Sequence, residues 1–153
     1  MRTLARLWAL ATVVSLCLPA PSRAGGVALA VIANKSVSIA ALGRDELRNI
    51  FQTRQVVWPG GLPVRAFNLP DTHPLRWSFD NSVLGLDPAR AARYWIDRQV
   101  RGGERPPAVV PSPALMVRLI AKTVGSVGYV ESALVNPSVK VLARVVDGQV
   151  VKP

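Results

Sequence analysis

The chain has 153 residues, of which half are hydrophobic and 18% are charged, so it fits one globular domain and is not disordered throughout. Its 19 Lys and Arg against 9 Asp and Glu give a formal net charge of +10. A single Cys and a single His exclude a disulfide framework and a zinc site made of Cys and His.

The first 24 residues have the layout of a secretory signal peptide. Arg2 and Arg6 precede an apolar run over residues 7–18, and Ser22-Arg23-Ala24 supplies the small residues of a cleavage site. We expect a signal peptide over 1–24, cleavage after Ala24 (or, as the alternative, after Ala20) and a mature domain over 25–153. The mature protein is then predicted to be periplasmic or secreted.

Cleavage after Ala24 removes three arginines and no acids, which lowers the net charge to +7. On an exported protein this excess favours anionic solutes or surfaces over nucleic acid, and simple solubility is the alternative explanation. No segment after residue 24 is long enough to span a bilayer, so the mature domain is not expected to cross a membrane.

The first half of the mature chain alternates predicted strands and helices. The apolar run 27–33 predicts a strand buried on both faces, and Gly43 precedes a helix that ends near Phe51. A turn over 58–61 then leads to a strand over 62–69.

The second half continues the alternation. A helix begins at Pro74 and ends at Gly85, with Leu75, Phe79 and Val83 on one face, and a second helix runs from Pro88 to about Arg101. On this second helix, Arg93, Asp97 and Arg101 are spaced by four, which predicts a ladder of opposite charges. A strand over 108–110, a helix from Pro113 and strands over 124–130 and 140–146 follow, the last strand ending at an Asp-Gly turn. This order predicts an α/β domain with a parallel or mixed sheet.

Patterns that would indicate catalysis are absent from the sequence. The single His lies in a loop, there is no nucleophile elbow, and the acids are scattered instead of paired across a cleft. No metal-ligand cluster, phosphate-binding loop or dinucleotide motif is present. We therefore predict a protein that is not an enzyme and has no catalytic residues, metal site or cofactor.

One turn has the features of an anion site. Asp71, Thr72 and His73 lie where a strand leads into a helix, and Arg76 follows in the first turn. Free N–H groups and the helix dipole suit an oxyanion there, at the carboxyl end of a strand. The alternative is an ordinary helix cap with a surface ion pair between Arg76 and Asp80.

Four aromatic residues allow two interpretations. They could stack on a ligand, but a role in the core or in anchoring loops is favoured. They are Trp58, Trp77, Tyr94 and Trp95.

The order of these landmarks resembles the phosphate-binding periplasmic proteins of ABC importers, in particular short, single-lobe members of the PBP-like superfamily. The resemblance covers residues 27 to about 133. It rests on an apolar strand ending at Asn, Leu with Ile-Phe, a Trp-x-x-Gly turn, a Phe-containing helix, Tyr-Trp, a Gly-to-Pro-Pro stretch and a Gly-x-x-Gly-Tyr-Val strand. These are Val27 to Asn34, Leu47 with Ile50-Phe51, Trp58 to Gly61, Phe79, Tyr94-Trp95, Gly103 to Pro107 and Gly125 to Val130.

The resemblance implies a three-layer α/β single lobe of the type II periplasmic-binding-protein-like fold with a mixed sheet. It also implies a phosphate or similar oxyanion as ligand, held by Asp71, Thr72, His73 and Arg76, and an ABC transporter permease or a second PBP-like lobe (a homodimer) as partner. The family's Ser-Gly-Thr becomes His73-Pro74-Leu75 here, and its loop Arg becomes Leu69. These losses support an alternative, a scaffold without ligand that acts as a periplasmic interaction or envelope-accessory module.

Overall fold

A computed structural model describes residues 28–153. The predicted signal peptide and its cleavage site at Ala24 lie outside the described residues. Within residues 28–153, none of the helices combines the length and the apolar character needed to cross a membrane.

Six strands form one mixed sheet in the order β3-β2-β4-β1-β5-β6. β2 runs parallel to β3 and β4, whereas β1 is antiparallel to β4 and β5, and β6 is antiparallel to β5. The strand β1 is buried along its whole length, as its apolar run predicts. The strands are β1 (Leu29–Ala33), β2 (Arg65–Asn68), β3 (Ala108–Val109), β4 (Ser126–Glu131), β5 (Lys140–Val146) and β6 (Gln149–Val151).

Local capping sets where the helices begin. His73, Asp87 and Ser112 each accept a hydrogen bond from a backbone N–H of the first turn, and each is followed by proline at the first helical position. The helices are α1 (Arg44–Phe51), α2 (Pro74–Phe79), α3 (Pro88–Gly102) and α4 (Pro113–Lys122). A π-helical turn, Asp80–Leu84, continues α2 as far as Gly85, whose left-handed conformation ends it.

Helices cover both faces of the sheet. Neighbouring residues of β4 point to opposite faces: the Tyr129 ring stacks on Phe79 with ring centroids 3.9 Å apart. On the other face, a Cβ on Gly128 would come within 2.7 Å of Met116 in α4. Helices therefore pack on the two sides of one sheet, which confirms the predicted three-layer α/β lobe.

Two predictions about the elements are wrong. The strand 140–146 is not the last one, because the predicted Asp-Gly turn returns the chain as β6 against β5. The predicted ladder of charges on α3 is also incomplete: Arg101 Nε lies 2.6 Å from Asp97 Oδ1, whereas Arg93 forms no ion pair among the described residues.

Candidate ligand-binding site

A cavity of ≈ 560 Å³ opens at the carboxyl ends of the parallel strands β2 and β3. The last residues of these strands, Asn68 and Val109, both line it. Ligands of α/β proteins settle at this edge of the sheet, where strand ends and the following loops leave a crevice. The cavity is therefore the candidate site on this chain.

A buried ion pair lies on the floor of the cavity. Arg76 Nε is 2.7 Å from Asp80 Oδ2, and the two side chains are only 9% and 6% exposed. Arg76 Nη1 also donates to the Leu69 carbonyl at 3.0 Å. The alternative interpretation of this turn placed the pair at the surface, and this is corrected: the pair is buried, and the Leu69 carbonyl that follows β2 holds the guanidinium against the end of the sheet.

Asp80 is only partly satisfied by this pair. Its Oδ1 is buried and has no hydrogen-bond partner among the described residues. Burial raises the pKa of the Asp80 carboxyl above its ordinary value, and the Arg76 guanidinium offsets part of that rise. A buried acceptor without a donor is costly, so the floor of this cavity retains unused capacity for a hydrogen bond.

Tyr129, on the neighbouring strand β4, holds the end of β2 in position through its hydroxyl group. Its hydroxyl donates to Asn68 Oδ1 at 3.2 Å and accepts from the Leu69 N–H at 3.3 Å. Burial raises the pKa of Tyr129 above its ordinary value, so the phenol is neutral at physiological pH. The contact fixes the Asn68 carboxamide and leaves its N–H₂ group free of this hydrogen bond.

The four predicted site residues divide into two groups. Asp71, Thr72 and Arg76 line the cavity together, whereas His73 does not. His73 Nδ1 instead accepts from the Leu75 N–H at 3.1 Å, so the imidazole caps α2.

The free N–H groups expected at the start of α2 are used within the chain, which corrects that part of the prediction. The His73 carbonyl accepts from Arg76 N at 2.9 Å and from Trp77 N at 3.3 Å, and His73 N donates to Pro70. The first N–H groups of α2 are therefore not available to an anion, and Arg76 is the cationic side chain that lines the cavity beside this turn.

Several lining residues were not predicted from the sequence as site residues. Asn68 follows no binding motif, and Asp80 was assigned to a surface pair. Trp77 and Trp95, for which a structural role was favoured, both line the cavity, whereas Trp58 is buried and anchors a loop through Nε1 to the Gly125 carbonyl at 2.8 Å. A polar residue at the carboxyl end of a predicted strand is the sequence signal that could have indicated Asn68.

The charges of the lining limit the kind of anion that fits. Two carboxylates, Asp71 and Asp80, and one guanidinium, Arg76, line the cavity. A fully deprotonated anion is repelled by the acids, whereas an oxyanion that retains a proton can donate it to a carboxylate.

No family model and no curated protein matches the chain. Solved structures do match. An ABC-type phosphate transport receptor from Vibrio cholerae aligns with a TM-score of 0.58 and 20% identity over 74% of this chain and 44% of that protein. PstS from Borrelia burgdorferi aligns with a TM-score of 0.59 and 17% identity over 75% of this chain and 46% of that one.

A third match is a putative phosphate ABC transporter substrate-binding protein with bound phosphate from Clostridium perfringens. It aligns with a TM-score of 0.59 and 19% identity over 79% of this chain and 45% of its own length. The chain has the fold of a single PBP-like lobe. It spans less than half the length of each of these three proteins, and the predicted PBP-like fold is confirmed.

Proposed function

We propose that this chain is an exported solute-binding lobe that binds a protonated oxyanion such as hydrogen phosphate and does not catalyse a reaction. The observation that carries the proposal is the buried Arg76–Asp80 pair, with Asp80 Oδ1 unpartnered, on the floor of a cavity at the carboxyl end of β2. Solved proteins with the same fold are named as phosphate transport receptors or substrate-binding proteins.

In the proposed complex, Arg76 supplies the positive charge. Its Nε and Nη1 are occupied by Asp80 and Leu69, and Nη2 has no partner among residues 28–153, so Nη2 donates to the ligand. Thr72 adds a hydroxyl donor at the mouth, while Asp80 or Asp71 accepts the ligand's proton. One open lobe leaves the ligand in contact with water, so the affinity is modest.

We further propose that the lobe works with a partner, either an ABC transporter permease or a second PBP-like lobe supplied by another copy. Solved proteins with the same fold are named as an ABC-type phosphate transport receptor and as an ABC transporter substrate-binding protein, which supports a transporter partner.

Calorimetry with phosphate, against a chloride salt of matched ionic strength, tests the proposal. We expect saturable heat from the unmodified protein and none from Arg76→Lys. Lysine keeps the positive charge, but its single ammonium group cannot hold Asp80 and the ligand together as the guanidinium does. Thr72 is exposed, so Thr72→Val leaves the fold intact and lowers the affinity about tenfold.

Arg90→Ala is the control. It removes an arginine of an exposed ion pair with Asp87, outside the cavity, and leaves the affinity unchanged. Absence of saturable heat in the unmodified protein contradicts the proposal. If Arg90→Ala lost as much phosphate affinity as Arg76→Lys, binding would reflect only the general positive charge of the protein.

A second candidate, a protein-interaction module, is favoured by α3. Only Ala91 of its 15 residues is buried, while Ile96 is 63% and Val100 81% exposed. Crosslinking in the periplasm would then recover a protein partner, and no oxyanion would raise the melting temperature.

A further inference from the structure

We infer that the ligand of this cavity is a phosphate monoester that carries a flat apolar group, such as an aryl group, and not the free inorganic ion. The inference rests on the proposed function, because the phosphate end would occupy the Arg76–Asp80 floor. The observations that add to it are the size of the cavity and the composition of its walls.

The cavity is too large for an inorganic oxyanion alone. Its volume of ≈ 560 Å³ lies within the range of about 300–1,000 Å³ that is typical of sites for drug-sized organic molecules. A five-atom oxyanion occupies about 100 Å³, the liquid volume of three to four waters. Most of the cavity would therefore hold only water if the ligand were free phosphate.

Apart from the charged groups, most of the residues that line this space are apolar. Trp77 from α2 and Trp95 from α3 contribute two indole rings, and Val109 ends the edge strand β3. The prolines that complete the walls are Pro70, Pro88, Pro106 and Pro107. Covering a surface of this composition with an apolar group stabilises the complex, whereas leaving it exposed to water is unfavourable.

Both indole rings are held in place by contacts with other residues of the chain. Trp77 Nε1 donates to the Asp71 carbonyl, although the ring is 48% exposed. Trp95 meets Tyr94 edge to face, with centroids 5.0 Å apart, and the Tyr94 hydroxyl donates to the Gln52 carbonyl. Rings that are oriented before binding stack on a flat ligand at a low entropic cost.

An apolar group on the ligand would also shield the floor from water. The lobe leaves the cavity open, and hydrogen bonds to Arg76 and Asp80 strengthen when water is excluded from them. An aryl group lying against Trp77 and Trp95 would cover that floor as the phosphate binds.

The test is calorimetry on the purified protein with inorganic phosphate, methyl phosphate and phenyl phosphate as probes. We expect phenyl phosphate to bind about tenfold to a hundredfold more tightly than phosphate. Methyl phosphate should fall close to phosphate, because it lacks the flat group.

Two variants locate the gain. Trp77→Ala removes a half-exposed ring. In this variant the affinity for phenyl phosphate should fall to within about threefold of the affinity for phosphate, while phosphate binding is retained. Trp95→Phe should keep most of the preference, because a flat ring remains. Ile96→Ala, on the same helix but outside the cavity, is the matched control and should alter neither affinity.

Each result decides a different question. Phosphate binding without a gain for phenyl phosphate overturns this inference and leaves the proposed function intact. A gain that persists in Trp77→Ala overturns the assignment to the indole wall. Failure of all three probes to bind overturns the proposed function together with the inference.

Discussion

The two ends of β2 and β4 hold buried polar groups that differ in how completely they are satisfied. At the closed end, which we define by Asn34, Gly125 and Ser126, Asn34 Nδ2 donates to the Ile120 and Ala121 carbonyls at 2.7 and 3.0 Å. Asn34 Oδ1 accepts from Ser36 N at 2.9 Å, and Ser126 Oγ lies 3.1 Å from the same Ile120 carbonyl oxygen and 2.6 Å from that of Thr123.

At the open end, defined by Asn68, Arg76 and Asp80, the groups line a cavity and Asp80 Oδ1 has no partner. Polar groups that are paired within the chain stabilise one structure, whereas a buried acceptor left unpaired costs stability until a donor arrives. The comparison predicts that changes at the closed end alter stability alone, while changes at the open end alter binding.

The largest effect is expected from Gly125→Ala at the closed end. Gly125 has φ +72°, and an added Cβ would lie 2.3 Å from the Pro63 carbonyl oxygen, a backbone atom that cannot move aside. We expect a loss of about 3–5 kcal/mol in the free energy of unfolding, measured with urea.

Gly103→Ala is the control for Gly125→Ala. Gly103 has a similar φ of +67° but open space around the added Cβ, so only the left-handed conformation costs energy, about 1 kcal/mol. Equal losses in the two variants would contradict the role of close packing at Gly125.

Asn34→Ala should cost less, about 2–3 kcal/mol, because it removes the donor to the Ile120 and Ala121 carbonyls and the acceptor of the Ser36 N–H. Urea unfolding measures the loss, and calorimetry should show unchanged phosphate binding. Asn136→Ala removes an exposed Asn that contacts only Ser138, so a comparable loss there would refute the distinction between buried and exposed amides.

Discrimination between phosphate and sulfate sharpens the comparison at the open end. Sulfate carries no proton at neutral pH, so Asp80 and Asp71 repel it, and we expect it to bind about tenfold more weakly than phosphate. Competition calorimetry measures the ratio. Asp80→Asn should bring the two affinities closer, and equal affinities in the unmodified protein would show that no carboxylate accepts a ligand proton.

The smallest effect is the dependence of stability on pH that Asp80 causes. Because burial raises its pKa from 3.8, the folded protein holds this proton to higher pH than the unfolded chain. The stability of the unmodified protein relative to Asp80→Asn should therefore fall as pH rises from 3.8 through the raised pKa, by on the order of 1 kcal/mol. Urea unfolding at several pH values measures it, and an increase over that window would contradict the assigned direction.

Much of the fold follows from local sequence signals. The apolar run before Asn34, the Asp87-Pro88 and Ser112-Pro113 caps and the Gly85 stop each placed an element boundary within a few residues of its position in the structure. These signals are local because caps, prolines and left-handed glycines act on the backbone within one turn. The predicted export signal and transport partner stay predictions.

The site depended on contacts between segments distant in sequence. The helix beginning at Pro74 and the loop residues Asp71 and Thr72 were found from the sequence, as was Arg76. Only packing against the end of β2 turned the Arg76–Asp80 pair inward and brought Trp95 from α3 to the same cavity as Asn68. The sequence by itself thus determined where elements begin and end, because those signals act over a few residues. Packing between distant segments decided which polar groups beyond these local caps are satisfied, since their hydrogen-bond partners come from whichever segment packs alongside.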